Sequence, residues 1–132
     1  ELNTLSQQFR HARAGHIPTL WYSAQSHTAE FIAVDGLGLG IVRNQNYENH
    51  VQEVTGNYQT GDFLILLTDG ILESRNDVGE QFGYTRLKEL VEANPQMPPL
   101  QLQKAIIDSL HQFVGGDGMI DDDYSLVVVK FK

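Results

Sequence analysis

Residues 63–70 read Phe-Leu-Ile-Leu-Leu-Thr-Asp-Gly, and the fold prediction starts from this stretch. Its five apolar residues predict a short strand buried on both faces, because the run is continuous and rich in large side chains. A second apolar run, residues 125–129, predicts another such strand and directly follows the acidic triple 121–123. Each strand therefore has carboxylates at one end, and these carboxylates meet if the two strands are neighbours in a sheet.

Converging carboxylates at the rim of a sheet suit hard divalent cations, which take oxygen ligands. Each signal alone has a plainer interpretation: Asp69-Gly70 after a strand is more often a turn, and residues 121–123 can be a solvated loop. Together they favour a cation site, because three adjacent carboxylates repel one another and a bound cation relieves that repulsion. The chain has no cysteine, which excludes disulfides and thiolate zinc sites and fits a reducing cytoplasm.

The remaining patterns predict strands first, then helices, then a final strand. Apolar patterning predicts a hairpin from strands 19–24 and 29–34, a strand within 47–54, and helices over 85–93 and 102–114. This order favours the α+β class, with mainly antiparallel sheets and helices packed outside them. The alternating glycines of residues 36–40 predict a loop with unusual dihedral angles or a close approach between backbones.

Composition limits the classes of partner. The 132 residues predict one domain, and their net charge of −8 at pH 7 disfavours nucleic acid and anionic membranes. An anionic substrate would also be repelled unless bound cations reverse the local field. No apolar run approaches the roughly 18 residues that a membrane helix needs. The chain begins with Glu1 and lacks a signal-like segment, so we expect it to be a piece of a longer product.

Six short motifs, taken in order, resemble those of the metal-dependent (PPM, phosphatase 2C-like) serine/threonine protein phosphatases, in the bacterial SpoIIE-like and RsbU-like branch. They span nearly the whole chain: residues 12–18 (Ala-Arg-Ala-Gly-His-Ile-Pro), 36–40 (Gly-Leu-Gly-Leu-Gly), 61–62 (Gly-Asp), 68–73 (Thr-Asp-Gly-Ile-Leu-Glu), 79–83 (Gly-Glu-Gln-Phe-Gly) and 122–125 (Asp-Asp-Tyr-Ser). The second departs from the family pattern, since Gly38 stands where a proline is usual.

The resemblance implies an αββα sandwich, a binuclear Mn²⁺ or Mg²⁺ centre, and hydrolysis of phosphoserine or phosphothreonine on a regulatory protein. In partner-switching signalling that protein is often an anti-sigma-factor antagonist. By position, Asp69 and Asp122 would be metal ligands, and Asp123 would be a further ligand or a neighbour of one. No protein nucleophile is assigned, Glu73 receives no chemical role, and His16 is expected to be structural. The oligomeric state stays open.

One family element has no counterpart. The earlier Asp-x-x-Gly-His-Gly sequence, whose Asp bridges both metals, is not matched, because Asp35-Gly36 falls too late in the order. The chain is therefore expected to be the C-terminal portion of the domain and inactive alone. Two alternatives remain: a non-catalytic protein-interaction module of the same fold, and an unrelated acidic metal-binding domain.

Overall fold

The computed structural model describes residues 1–42, 46–115 and 123–132. Its strands are β1 (Leu2–Asn3), β2 (Gln8–Ala12), β3 (Thr19–Ser23), β4 (Thr28–Ile32), β5 (Glu53–Asn57), β6 (Phe63–Leu67) and β7 (Leu126–Lys130). Its α-helices are α1 (Asp69–Glu73), α2 (Gly83–Ala93) and α3 (Pro99–Val114), and Tyr47–His50 forms a single 3₁₀ turn. Within these residues no helix is both long enough and apolar enough to cross a membrane.

The larger sheet has the strand order β4-β3-β6-β7, and every pairing in it is antiparallel. The predicted hairpin is confirmed as β3 and β4, with Thr19 opposite Ile32. The two apolar runs at residues 63–67 and 125–129 are direct neighbours, with Leu67 opposite Leu126. This pairing places the C-terminal end of β6 beside the N-terminal end of β7.

All three helices lie on one face of the larger sheet. The spacing of apolar residues in α3 is confirmed, since its core-facing positions are fully buried, and the helix ends at Gly115 in the left-handed conformation. The shared core joins strand and helix side chains: Leu20, Tyr22, Ala29, Phe63, Ile65, Leu67, Ile71, Leu72, Phe82, Leu87, Val91, Leu102, Ile106, Leu110 and Val114.

The opposite face of the larger sheet meets a second sheet of order β1-β2-β5. Phe9 of β2 stacks on Trp21 of β3 with ring centroids 4.8 Å apart, and Tyr58 stacks on Phe131 at 4.0 Å. The described layers are therefore helices, sheet and sheet. The α+β class with antiparallel sheets and outer helices is confirmed.

The strand predicted over residues 47–54 begins later in the chain than expected, and only Glu53 and Val54 of that range lie in it. The segment opens with the 3₁₀ turn Tyr47–His50, which the Tyr47 hydroxyl anchors by donating to the Leu37 carbonyl oxygen at 2.6 Å. The strand that follows, Glu53–Asn57, contains Gly56, which reads as a strand breaker in sequence. Gly56 is there because a β-carbon would lie 2.6 Å from the Phe9 ring.

The prediction that both apolar runs are buried on both faces of the sheet is wrong. Phe63, Ile65 and Leu67 face the helices and are buried, but the alternate residue Leu66 is 38% exposed. In β7, Val127 is 54% exposed on that same outer face. The second sheet packs on the larger sheet around Trp21. It leaves the C-terminal end of β6 and the N-terminal end of β7 exposed.

Candidate metal centre

The junction between β6 and α1 puts a carboxylate at a rigid edge. Leu67 ends the strand in the core, and Ile71 and Leu72 return the chain to the core after one helical turn. Asp69 is the first residue of α1 and is exposed, so both flanks hold its backbone while its side chain faces solvent. A negative charge is favourable there, since helix N-terminal amides carry partial positive charge.

Two hydrogen bonds tie this junction to the start of β7. The Thr68 amide donates to the Ser125 carbonyl oxygen at 3.1 Å. The Ser125 amide donates in return to the Thr68 side-chain oxygen, Oγ1, at 2.9 Å. The β6–β7 pairing therefore continues one residue past the strands, up to the acidic segments on both sides.

Gly70 brings the two segments closer still. A β-carbon on Gly70 would lie 2.7 Å from the Asp123 carbonyl oxygen, a distance that side chains do not tolerate. The first turn of α1 thus packs directly against the backbone at Asp123. Gly70 has no left-handed dihedral, so the close approach alone accounts for a glycine here.

Two of the three predicted ligands lie within the described residues. Asp69 and Asp123 are both exposed and lie on segments in contact at one rim. Asp122 lies outside the described residues, so its role as a ligand stays a prediction. Across residues 1–42, 46–115 and 123–132, no three metal-binding side chains of the histidine, cysteine or carboxylate type come together.

The donor chemistry at this rim suits a hard divalent cation. It offers exposed carboxylates, and Asp69 forms no ion pair within the described part of the chain. Asp69 would therefore not have to give up a lysine or arginine partner on binding a cation.

A cavity of about 320 Å³ opens beside the rim, between the two sheets. Its walls include His11, Ile17 and Thr68, together with the exposed Val127. The His11 ring nitrogen Nε2 is buried without a hydrogen-bond partner among the described residues. Burial lowers the pKa of His11, and the N-terminal ammonium and Arg13 lower it further.

The Gly-His turn (residues 12–18) and the glycine loop (residues 36–40) are hydrogen-bonded to each other. The Gly15 amide donates to the Gly36 carbonyl oxygen at 3.0 Å. Arg13 crosses between them, donating to the carbonyl oxygens of Val34 and His16, each at 2.8 Å. These contacts explain both motifs structurally. His16 Nδ1 lies 3.1 Å from the Ile17 carbonyl oxygen, and the structure assigns it no chemistry.

Sequence reasoning missed the role of Asp62. This carboxylate is 4% exposed and accepts hydrogen bonds from the amides of Ala24 at 2.7 Å and Gln59 at 2.8 Å. It therefore fastens the turn before β6 to the end of β3. The only available signal was its place after Gly61, which has a left-handed φ of 97°.

Comparisons with known proteins agree with this architecture. The chain is 31% identical to the phosphoserine phosphatase RsbU of Bacillus subtilis over 130 residues, which are 98% of this chain and 37% of RsbU. The fold matches the phosphatase domain of the Bacillus subtilis cell fate determinant SpoIIE, presoaked with Mn, with a TM-score of 0.71 at 18% identity. That match covers 98% of this chain and 53% of the SpoIIE chain.

A third match is to the RsbU and RsbW domains of a Mycobacterium tuberculosis protein. The TM-score is 0.73 at 21% identity, covering 98% of this chain and 34% of that one. The chain thus spans about half or less of the length of each relative. The family profile described as "Stage II sporulation protein E (SpoIIE)" matches residues 1–132. The chain belongs to the SpoIIE family.

Proposed function

We propose that this chain forms the C-terminal part of a metal-dependent phosphatase domain that removes phosphate from serine or threonine of a regulatory protein. The observation that carries the proposal is the contact of residues 68–70 with residues 123–125, which brings two acidic segments to one rim. The similarity to a phosphoserine phosphatase supports the reaction class.

Asp69, Asp122 and Asp123 are the proposed ligands of a binuclear Mn²⁺ or Mg²⁺ centre. Bound there, such cations would supply Lewis-acid activation of a water molecule and positive charge for the phosphoryl group. The chain's own contribution is to place the carboxylates of Asp69 and Asp123 at the ends of two paired strands. Bound cations would also offset the repulsion between phosphate and a chain of net charge −8.

The proposed substrate is a phosphorylated protein of the anti-sigma-factor-antagonist type. Its support is the resemblance to partner-switching phosphatases and the matched structure that contains RsbU and RsbW domains. Regulators of that type act on the transcription machinery, so the cytoplasm is the proposed location. The acidic surface favours neither nucleic acid nor anionic lipid as a partner.

We also propose that these 132 residues need the rest of the domain for turnover. Leu66 and Val127 expose apolar side chains on the sheet face that points away from the helices, next to the open cavity. A further polypeptide segment seated there would remove these apolar groups from water and so gain stability. The matched phosphatase domain of SpoIIE is about twice as long, which leaves room for that segment.

The test is a Mn²⁺ titration of the full-length protein with Asp69→Asn and Asp122→Asn, with Asp108→Asn on the exposed side of α3 as the matched control. We expect both rim variants to bind Mn²⁺ more than about tenfold more weakly and to lose phosphatase activity on a phosphoserine protein. The control should match the wild type. Wild-type protein that binds a regulatory protein but neither binds Mn²⁺ nor releases phosphate would instead establish the non-catalytic alternative.

A further inference from the structure

Thr68 occupies the N-cap of α1, yet it does not cap that helix with its side chain. An N-cap threonine ordinarily accepts a hydrogen bond from an amide of its own first turn. Thr68 has the extended backbone of an N-cap, with φ −89° and ψ 163°, and forms no such side-chain bond. Its hydroxyl oxygen is used elsewhere, because it accepts the Ser125 amide at 2.9 Å.

The reason lies in the hydrogen-bond requirements of the strand end. Residues paired in this way in an antiparallel ladder exchange two backbone hydrogen bonds. The Thr68 amide makes one of them, to the Ser125 carbonyl oxygen at 3.1 Å. The Thr68 carbonyl oxygen turns into α1 and accepts the Ile71 amide at 3.4 Å. The hydroxyl therefore replaces the carbonyl as the acceptor for Ser125.

Gly70 adds an independent constraint two residues later. Its missing β-carbon lets α1 lie against the Asp123 carbonyl, where a methyl group would be 2.7 Å from that oxygen. The obstacle is backbone, since the methyl group would also lie 3.4 Å from the Asp123 carbonyl carbon, so relieving the clash requires the segment to move. Thr68 sets the register between the two segments, and Gly70 sets how closely they approach.

We propose that Thr68 and Gly70 are positioning residues that fix the distance between the carboxylates at Asp69 and Asp123 and so set the cation affinity of the rim. This inference rests on the proposed metal centre. It assigns the Thr and the Gly of the Thr-Asp-Gly motif separate physical tasks. Neither residue needs to touch a cation, substrate or reacting atom to perform its task.

The experiment measures Mn²⁺ affinity by calorimetry in the full-length protein, well below the melting temperature of every variant. Thr68→Val keeps the shape and removes the acceptor, Thr68→Ser keeps the acceptor, and Gly70→Ala adds the colliding methyl group. Thr55→Val, on the exposed part of β5, controls for the Thr-to-Val change. Gly40→Ala controls for lost stability, because its backbone is left-handed (φ 82°) but no atom lies within 4 Å of the added carbon.

We expect Thr68→Val and Gly70→Ala to weaken Mn²⁺ binding about 10- to 100-fold, as loss of outer supports does at other metal sites. Thr68→Ser should stay within about twofold of the wild type, and so should both controls. Amide hydrogen exchange at Ser125 should become about tenfold faster in Thr68→Val, because that amide loses its acceptor. A purely structural role would change stability without this pattern.

Two failures can be told apart. If the wild type binds Mn²⁺ and both Thr68→Val and Gly70→Ala bind it equally well, the positioning inference is overturned and the metal centre stands. If Gly40→Ala weakens binding as much as Gly70→Ala, affinity follows stability and the inference is again overturned. If the wild type binds no Mn²⁺, the metal centre itself fails, and the inference falls with it.

Discussion

Two aspartates flank the same strand, and their surroundings give them opposite roles. Asp62, just before β6, is 4% exposed and accepts two backbone amides. Asp69, just after β6, is exposed at the start of a helix. A buried carboxylate is tolerated only when hydrogen bonds replace its hydration, and Asp62 has those bonds. An exposed carboxylate held by a rigid backbone remains available for a cation.

Replacing Asp62 with asparagine tests the first of these roles. The amide side chain keeps one acceptor oxygen and turns two hydrogens toward a site whose partners are both donors. One of the amides of Ala24 and Gln59 then loses its acceptor, and we expect about 1–3 kcal/mol of lost stability. Urea unfolding measures this loss. Asp69→Asn, made in the same way without metal, should change stability by less than about 0.5 kcal/mol. Equal losses in the two variants would contradict the division of roles.

The sequence predicted those elements that are encoded by nearby residues. It did not predict features that depend on contacts between residues far apart in the chain. The α3 stripe, the β3–β4 hairpin and the β6 strand are each encoded within a few residues, and all three elements are confirmed, although the two-face burial predicted for β6 is not. The C-terminal part of β5 was missed because Gly56 makes sense only beneath Phe9, which is far away in the chain. The same limit hid the role of Asp62, since composition cannot tell a buried aspartate from an exposed one.

The Gly-His turn packs closely against the glycine loop, and a single added methyl group at Gly36 should disrupt this packing. A β-carbon on Gly36 would lie 1.6 Å from the Arg13 carbonyl oxygen, which is backbone and cannot yield. We expect Gly36→Ala to cost more than about 3 kcal/mol or to prevent folding. Gly40→Ala in the same loop meets no atom within 4 Å and should cost about 1 kcal/mol, from its left-handed backbone alone. Thermal unfolding measures the stability of both variants. Similar losses of stability in Gly36→Ala and Gly40→Ala would contradict this close contact.

Over the whole molecule, the larger sheet is covered unevenly. Helices pack along one face, while residues on the side of the second sheet contact the other face around Trp21 and Phe131. The open part lies at the C-terminal end of β6 and the N-terminal end of β7, beside the proposed metal centre and the cavity that His11 helps to line. A segment seated on this face would therefore also enclose the acidic rim. Under the proposed function, the same segment would therefore affect both the stability of this face and the proposed metal centre.

A lysine at Val127 tests whether the open face is covered in the longer protein. In the 132-residue chain Val127 is 54% exposed, so Val127→Lys should cost less than about 1 kcal/mol. In the full-length protein a covering segment would bury the lysine, and the same change should cost more than about 2 kcal/mol. Val78→Lys, at a loop position that is 75% exposed, supplies the matched control and should be neutral at both lengths. Denaturant unfolding measures the change in stability for each of the two variants at each of the two chain lengths. If Val127→Lys costs the same at both lengths, the face is open in the natural protein, and the proposal that the rest of the domain packs there is wrong.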